Sequence, residues 1–342
     1  MTAAAPTAEF QLDFLSKLQR ILDEGGFTAT YKFALLVALA ELAVERGEDN
    51  DSPLQLDIRA IGDKFAELYW KQIVPYSAAG QTAGKLSQIY GHAAAIPNRL
   101  DAFRTETGIA SLVAARKHSD WPSVISSIST TVRDQPIRYL QNVGGQTVSF
   151  LYAIGPGAGS ITLLPGIAYA LRRFQVFVVR LAQGGWVRHV RENPRNRVLI
   201  GEAGDLEAFM FEQSRQALAA ARRVLAEAQG NRCFYCERRV TGVGAVDHFI
   251  PWARYPRDLA ENFVLACTAC NWAKSDMLAA SSHREKWAQR NRTGGLMIDM
   301  LASVGMVSDR LAMEAVAQWA YGDAARLGAR LWASELGCLA AV

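Results

Sequence analysis

Disulfide-built secreted folds, membrane-spanning chains, repeat solenoids and disordered tails each need something that this sequence has too little of. Five cysteines in 342 residues cannot frame a disulfide scaffold. The most apolar helical run, residues 33–44, is too short to cross a bilayer and contains Glu41; the run 161–182 is interrupted by Pro165, Arg172, Arg173 and Arg180. No membrane association is therefore expected. The first ten residues lack the basic start and apolar stretch of a secretory signal, which sets the expectation of a cytoplasmic protein. No internal repeat is visible, and low complexity is confined to a short alanine-rich start. Charge of one sign is scarce too: 37 Lys and Arg stand against 33 Asp and Glu. The resulting +4 points only weakly to an anionic partner.

What remains is a chain of 50% apolar composition, long enough to bury a large core and to divide into several domains. Apolar residues recur at helical spacing over 10–22 and 31–46, separated by Gly25-Gly26. Residues 56–70 read as a short strand entering a helix. Residues 1–135 are expected to form a mainly helical domain, either plain helical packing or a winged-helix-like module. Residues 136–230 read as a hairpin, a basic helix and a connecting helix. The hairpin is marked by Asn142-Val-Gly-Gly145 between strands at 137–140 and 146–152. Gly155-Pro-Gly-Ala-Gly159 lacks the GK[ST] ending of a phosphate loop and reads as a turn. The helical pattern 165–193 has a candidate break at Gly184-Gly185, and the pattern over 205–229 reads as one amphipathic helix. A last helical region spans 308–334 within the C-terminal segment 293–342. Cys338 stands apart as a partly buried free thiol, His92, His118 and His189 have no partner that the sequence identifies, and His283 reads as a surface residue.

Basic residues gather in two places. Seven arginines face only Glu192 between residues 171 and 197, and Arg172, Arg173 and Arg188 are the candidates there for nucleic-acid phosphate contacts. A solvated helix face explains the same charge run. The second focus is 231–292, with ten basic and six acidic residues.

That segment carries the chemistry. Cys233-Phe-Tyr-Cys236 and Cys267-Thr-Ala-Cys270 are two matched pairs, each able to aim two thiolates at one tetrahedral ion, and four sulfurs close the shell of a structural zinc. Between them lie a strand pattern at 244–250 with Asp247-His248, a loop with Pro251 and Pro256, and a strand pattern at 262–266; helical character follows over 270–278. Asp247-His248, Asn262 fourteen residues after the histidine and Asn271 nine further on resemble the HNH endonuclease motif in its HNN form, over about 60 of the 342 residues.

The resemblance implies an α+β fold, mainly helical. A helical N-terminal region would be followed by a zinc-stapled ββα-metal nuclease domain at 231–292 and a C-terminal helix. It also implies the roles: His248 as general base, Asn262 steadying the active-site loop and the histidine, Asp247 and Asn271 as oxygen ligands of a catalytic Mg²⁺ or Mn²⁺. Arg254, Arg257 and Lys274 are candidate contacts to the DNA backbone. The function this implies is a metal-dependent endonuclease acting on DNA, by nicking or double-strand cleavage, in bacterial restriction or phage defence. A regulatory partner or a homodimer would provide control. Two alternatives share these residues: a zinc module that binds nucleic acid without cutting it, and an RNA-directed toxin nuclease.

Overall fold

Two compact units appear in the computed structural model, residues 1–212 and 213–342. The structure describes residues 4–76, 83–91, 94–200, 205–212, 215–334 and 337–340. His92 and the side chain of Cys338 lie outside the described residues.

In the first unit, α1 (Ala8–Glu24) starts at Thr7, whose hydroxyl accepts from the Phe10 amide, and buries one stripe, Phe14, Leu18 and Ile21. The next helix, α2 (Tyr31–Arg46), is apolar on every face, as a helix enclosed by protein must be, and it is buried from Phe33 to Val44. Its one charge in that run, Glu41, is matched by Lys64, whose ammonium lies 2.8 Å from Glu41 and 2.6 Å from Glu45. Then come β1 (Leu54–Asp57), α3 (Ile58–Trp70), α4 (Ala95–Thr107), α5 (Leu112–Arg116), α6 (Trp121–Asp134) and α7 (Pro136–Tyr139). The strand read at 137–140 is this last helical turn. Pro136 at its first position fixes φ near the helical value and favours a turn of helix there.

The hairpin itself is present but shorter than its pattern. β2 (Asn142–Val143) pairs with β3 (Gln146–Thr147) across Gly144 and Gly145, at φ +57° and +80°, the left-handed pair that a tight two-residue hairpin requires. β4 (Tyr152–Ile154) and β5 (Ser160–Leu163) flank the 155–159 turn, and β1 joins β5 to give an antiparallel sheet ordered β1-β5-β4. The long helical pattern is two helices, α8 (Ile167–Arg173) and α9 (Gln175–Glu192), and both pack on α2. The break falls at Phe174, and the Gly184-Gly185 pair is helical. A Cβ at position 185 would stand 2.5 Å from the Phe33 ring, so that glycine serves close packing of α9 on α2. α10 (Arg197–Ile200) and α11 (Leu206–Phe211) complete the unit.

In the second unit, α12 (Arg215–Ala228) leads into the cysteine segment, so the pattern read as one helix over 205–229 is two. β6 (Ala245–His248) pairs antiparallel with β7 (Phe263–Ala266), and α13 (Thr268–Lys274) follows, giving the ββα order. α14 (Ser281–Thr293), α15 (Gly295–Ser303) and α16 (Arg310–Arg326) come next. The helical pattern expected to reach residue 334 stops there. Gly328, at φ +60°, turns the chain into β8 (Arg330–Ala333), which pairs with β9 (Gly337–Ala340). None of the described helices is long and apolar enough to cross a membrane.

Candidate active site

A four-residue strand pair cannot hold a site by itself, so the sequence supplies fasteners at both ends of β6 and β7. At the first end, Gln229 at the exit of α12 donates to the Leu265 carbonyl at 3.0 Å and accepts from its amide at 2.9 Å. The chain turns at Gly230 and Asn231, both left-handed, into the first knuckle. There the Cys233 amide donates to the Arg238 carbonyl, and the Glu237 amide returns to the Cys233 carbonyl, both at 3.0 Å. The second pair sits at the start of α13, with Cys267 as its N-cap and Cys270 in its first turn.

The four sulfurs lie within 4.8 Å of one another. In a tetrahedral site with metal to sulfur bonds near ~2.3 Å, neighbouring sulfurs are roughly 3.8 Å apart, and Cys236 Sγ lies 3.9 Å from Cys267 Sγ. This donor set fits a closed zinc site. Burial works against ionising Cys236, but hydrogen bonds from Arg238, Cys270 and Cys233 outweigh it and bring its thiol down to about 6. Burial pushes the Cys233 and Cys270 thiols up.

Asp247 and His248 are consecutive on β6, so their side chains leave opposite faces. Asp247 turns inward, accepting a hydrogen bond from the Tyr235 hydroxyl. The Lys274 ammonium lies 3.1 Å from Asp247 Oδ2 and donates to the His248 carbonyl at 2.9 Å. Burial lowers the pKa of Lys274, and Asp247 works in the opposite direction. Asn271 is three residues before Lys274 on α13, a spacing that puts the two on one helix face, and it is half-buried.

His248 turns the other way, toward the loop. Its Nε2 stands 2.7 Å from Asp258 Oδ1, and the Asp258 side chain is 4% exposed against 22% for the histidine. Because an ionised carboxylate only accepts, Nε2 carries the proton in this pair, and Nδ1 is left as the basic nitrogen. Asn262 is wholly buried and doubly bonded to one residue of the strand's continuation: its Oδ1 accepts from the Ile250 amide at 2.7 Å, and its Nδ2 donates to the Ile250 carbonyl at 2.9 Å.

The second fastener is α14. Trp287 Nε1 donates to the Glu261 carbonyl at 2.7 Å, and Arg290 donates to the carbonyls of Glu261 and Phe263 at 2.6 and 2.7 Å. The indole of Trp287 also stacks on Phe249 at 5.0 Å. Glu261 itself is held by the Ser308 hydroxyl at 2.6 Å.

Residues 11–203 match the family described as Domain of unknown function (DUF8808), more than half of the chain. The chain belongs to this family. Residues 233–277 match the HNH endonuclease family, and they contain both cysteine pairs, Asp247, His248, Asn262 and Asn271. No curated protein and no solved structure matches the chain.

The candidate nucleic-acid contacts divide by burial. Arg254 is half-buried and Arg188 is exposed, while Arg173 is half-buried. Lys274 and Arg257 are buried, and Lys274 is committed to Asp247 and His248, so neither offers an exposed charge for a phosphate contact. Arg172 is buried as well. Its guanidinium donates to the Ala43 and Val44 carbonyls at the end of α2 and to Asp49, a helix-capping role in place of a phosphate contact.

No sequence pattern singles out Asp258, Tyr235 or the α14 clamp. Asp258 lies ten residues past His248 on a proline-bounded loop whose path no periodicity describes. Only the presence of an acid in that loop hinted at it.

Proposed function

We propose that this protein is a metal-dependent endonuclease that hydrolyses phosphodiester bonds in DNA, with His248 as general base. The observation that carries this reading is the His248–Asp258 pair on the ββα unit, beside an inward carboxylate and a helix bearing Asn271. Asp258 accepts a hydrogen bond from the protonated Nε2 and fixes the ring, so that Nδ1 is free to accept a proton from water as the water oxygen bonds to phosphorus and the bond to the 3′ oxygen breaks. Asp247 and Asn271 would hold a Mg²⁺ or Mn²⁺, which when bound supplies charge neutralisation at the phosphate and at the departing oxygen. A carboxylate has about four lone-pair positions, so Asp247 can serve Tyr235, Lys274 and a cation together.

Cys233, Cys236, Cys267 and Cys270 would hold a structural Zn²⁺ that sets the position of α13 relative to β6. Asn262 keeps the base loop in register. Arg254 contributes backbone charge, and Trp272, 82% exposed next to Asn271, offers a flat apolar surface to the nucleic acid. One such site cuts one strand at a time; a double-strand break requires a second copy or a second event. A role in restriction or phage defence rests on the same nuclease reading.

The test is cleavage of supercoiled plasmid by the full-length protein with Mg²⁺ or Mn²⁺, with single-stranded RNA run in parallel. His248→Ala is expected to slow plasmid cleavage by roughly 10²–10⁴-fold, the usual contribution of a positioned general base. Equal cleavage by both proteins, or none by the wild type with either metal, refutes the assignment, and cutting of RNA alone moves the substrate to RNA.

A further inference from the structure

The first unit contains a cavity of about 760 Å³ between α1 and α9. That is within the range of sites that enclose small molecules. Its walls combine rings and aliphatic chains. Phe27 and Phe33 stack at 4.0 Å, and Tyr90, Phe177 and Leu12 on the lining are exposed. Large apolar groups left open around one concavity mark a binding site more often than an inert surface.

Three polar groups from one stretch of α9 line the same cavity, and none of them is held by a side-chain hydrogen bond or salt bridge to another described residue. His189 is 6% exposed, its ring packs edge-on to Tyr90 at 4.5 Å, and its Nε2 is buried with no hydrogen-bond partner. Burial holds its pKa below the ordinary histidine value, so near neutral pH the ring offers one donor and one acceptor. Arg188 is exposed and forms no hydrogen bond or ion pair with another described residue. Glu192 stands four residues on, at a spacing where a salt bridge to Arg188 is common, and none forms between them. A guanidinium and a carboxylate without a salt bridge to each other, and a neutral imidazole with an unsatisfied Nε2, beside aromatic walls, define the complement: a flat heteroaromatic ring, a single anionic group and hydroxyl donors.

We propose that this cavity binds a nucleoside monophosphate, its base against the aromatic walls and His189, its phosphate on Arg188 and its sugar hydroxyls toward Glu192. The site lies wholly in the first unit and is independent of the nuclease reading. It gives Arg188 a defined anion in place of an extended backbone contact.

Binding to the full-length protein would be measured by calorimetry and thermal shift with AMP, GMP, CMP and UMP, and with adenosine, ATP and palmitate as comparison ligands. At least one monophosphate should bind saturably and more tightly than its nucleoside by about tenfold or more, the usual worth of a charge-assisted hydrogen bond. Arg188→Ala should erase that difference and leave the nucleoside unaffected. Ser16→Trp, an exposed position on the α1 wall, should block all binding by filling the space, without lowering the melting temperature of the free protein. No saturable binding by any of the four monophosphates, an unchanged phosphate preference in Arg188→Ala, or preferential uptake of palmitate would each overturn the proposal.

Discussion

Replacing Asn262 with alanine tests whether the active-site loop is held as the structure indicates. The amide side chain is wholly buried, and both of its hydrogen bonds go to Ile250, itself fully buried. Alanine removes those two bonds and leaves the Ile250 amide and carbonyl without them, where water cannot replace them. Each stranded group costs about 1–3 kcal/mol, so the substitution should destabilise the second unit by roughly 2–6 kcal/mol. For a unit of this size that corresponds to a fall in melting temperature on the order of 10–15 °C. Asn262→Asp keeps the acceptor but sets a carboxylate oxygen against the Ile250 carbonyl, so it should be at least as damaging. Denaturant unfolding, with hydrogen exchange of the Ile250 amide as the local probe, measures both. A loss below 0.5 kcal/mol (~0.5 being the spread of surface substitutions) with the Ile250 amide still protected would refute the reasoning.

Cys233→Ser should lower bound zinc and folded yield together, whereas His248→Ala should leave both unchanged; elemental analysis of purified protein decides, because a closed metal site contributes directly to folding. Asp258→Ala frees the His248 ring to take either tautomer and should slow plasmid cleavage by roughly 10–100-fold, less than loss of the base itself, with zinc content unchanged. Cleavage at the wild-type rate would remove Asp258 from the mechanism. Arg172→Ala should destabilise the first unit by about 1–3 kcal/mol, through the uncapped carbonyls of α2, without altering the salt dependence of DNA binding; a change in that slope, read from binding at several salt concentrations, would return Arg172 to the nucleic-acid surface.

The parts of the site that the sequence makes legible are those whose geometry is local. Two thiols three residues apart share a turn, adjacent residues on a strand oppose each other, and Asn271 falls one turn beyond Cys267, so spacing alone carries information about position. The ββα order follows from the same short-range periods. What escaped is set by the path of loops and by packing between distant segments. Asp258 reaches His248 only because the 251–257 loop folds back, and Tyr235 reaches Asp247 across a gap of twelve residues. Arginine runs are read as surface because most are. Arg172 is instead spent on carbonyls at the end of α2, 128 and 129 residues away in sequence, and nothing in its neighbours' identities announces that. The helix boundaries failed for a related reason: Gly184-Gly185 looks like a break until Phe33 is known to lie against it.

The family match ends at residue 277, yet the loop that carries Asp258 and Asn262 is gripped from beyond it. Glu261 is the focus of that grip. Its carbonyl receives Trp287, Arg290 and Asn291 from α14, and its carboxylate receives Ser308 and the Asp309 amide. One residue away on either side lie Ala260, bonded to the Val307 carbonyl, and Asn262, bonded to Ile250. A loop fixed from both its backbone and its side chains in this way presents Asp258 at one position, and His248, the proposed general base, is only as well placed as the loop whose carboxylate orients it. The cysteine cluster fastens the opposite end of the same two strands. On the proposed mechanism, residues 287–309 serve the chemistry by holding still the acid that holds the histidine.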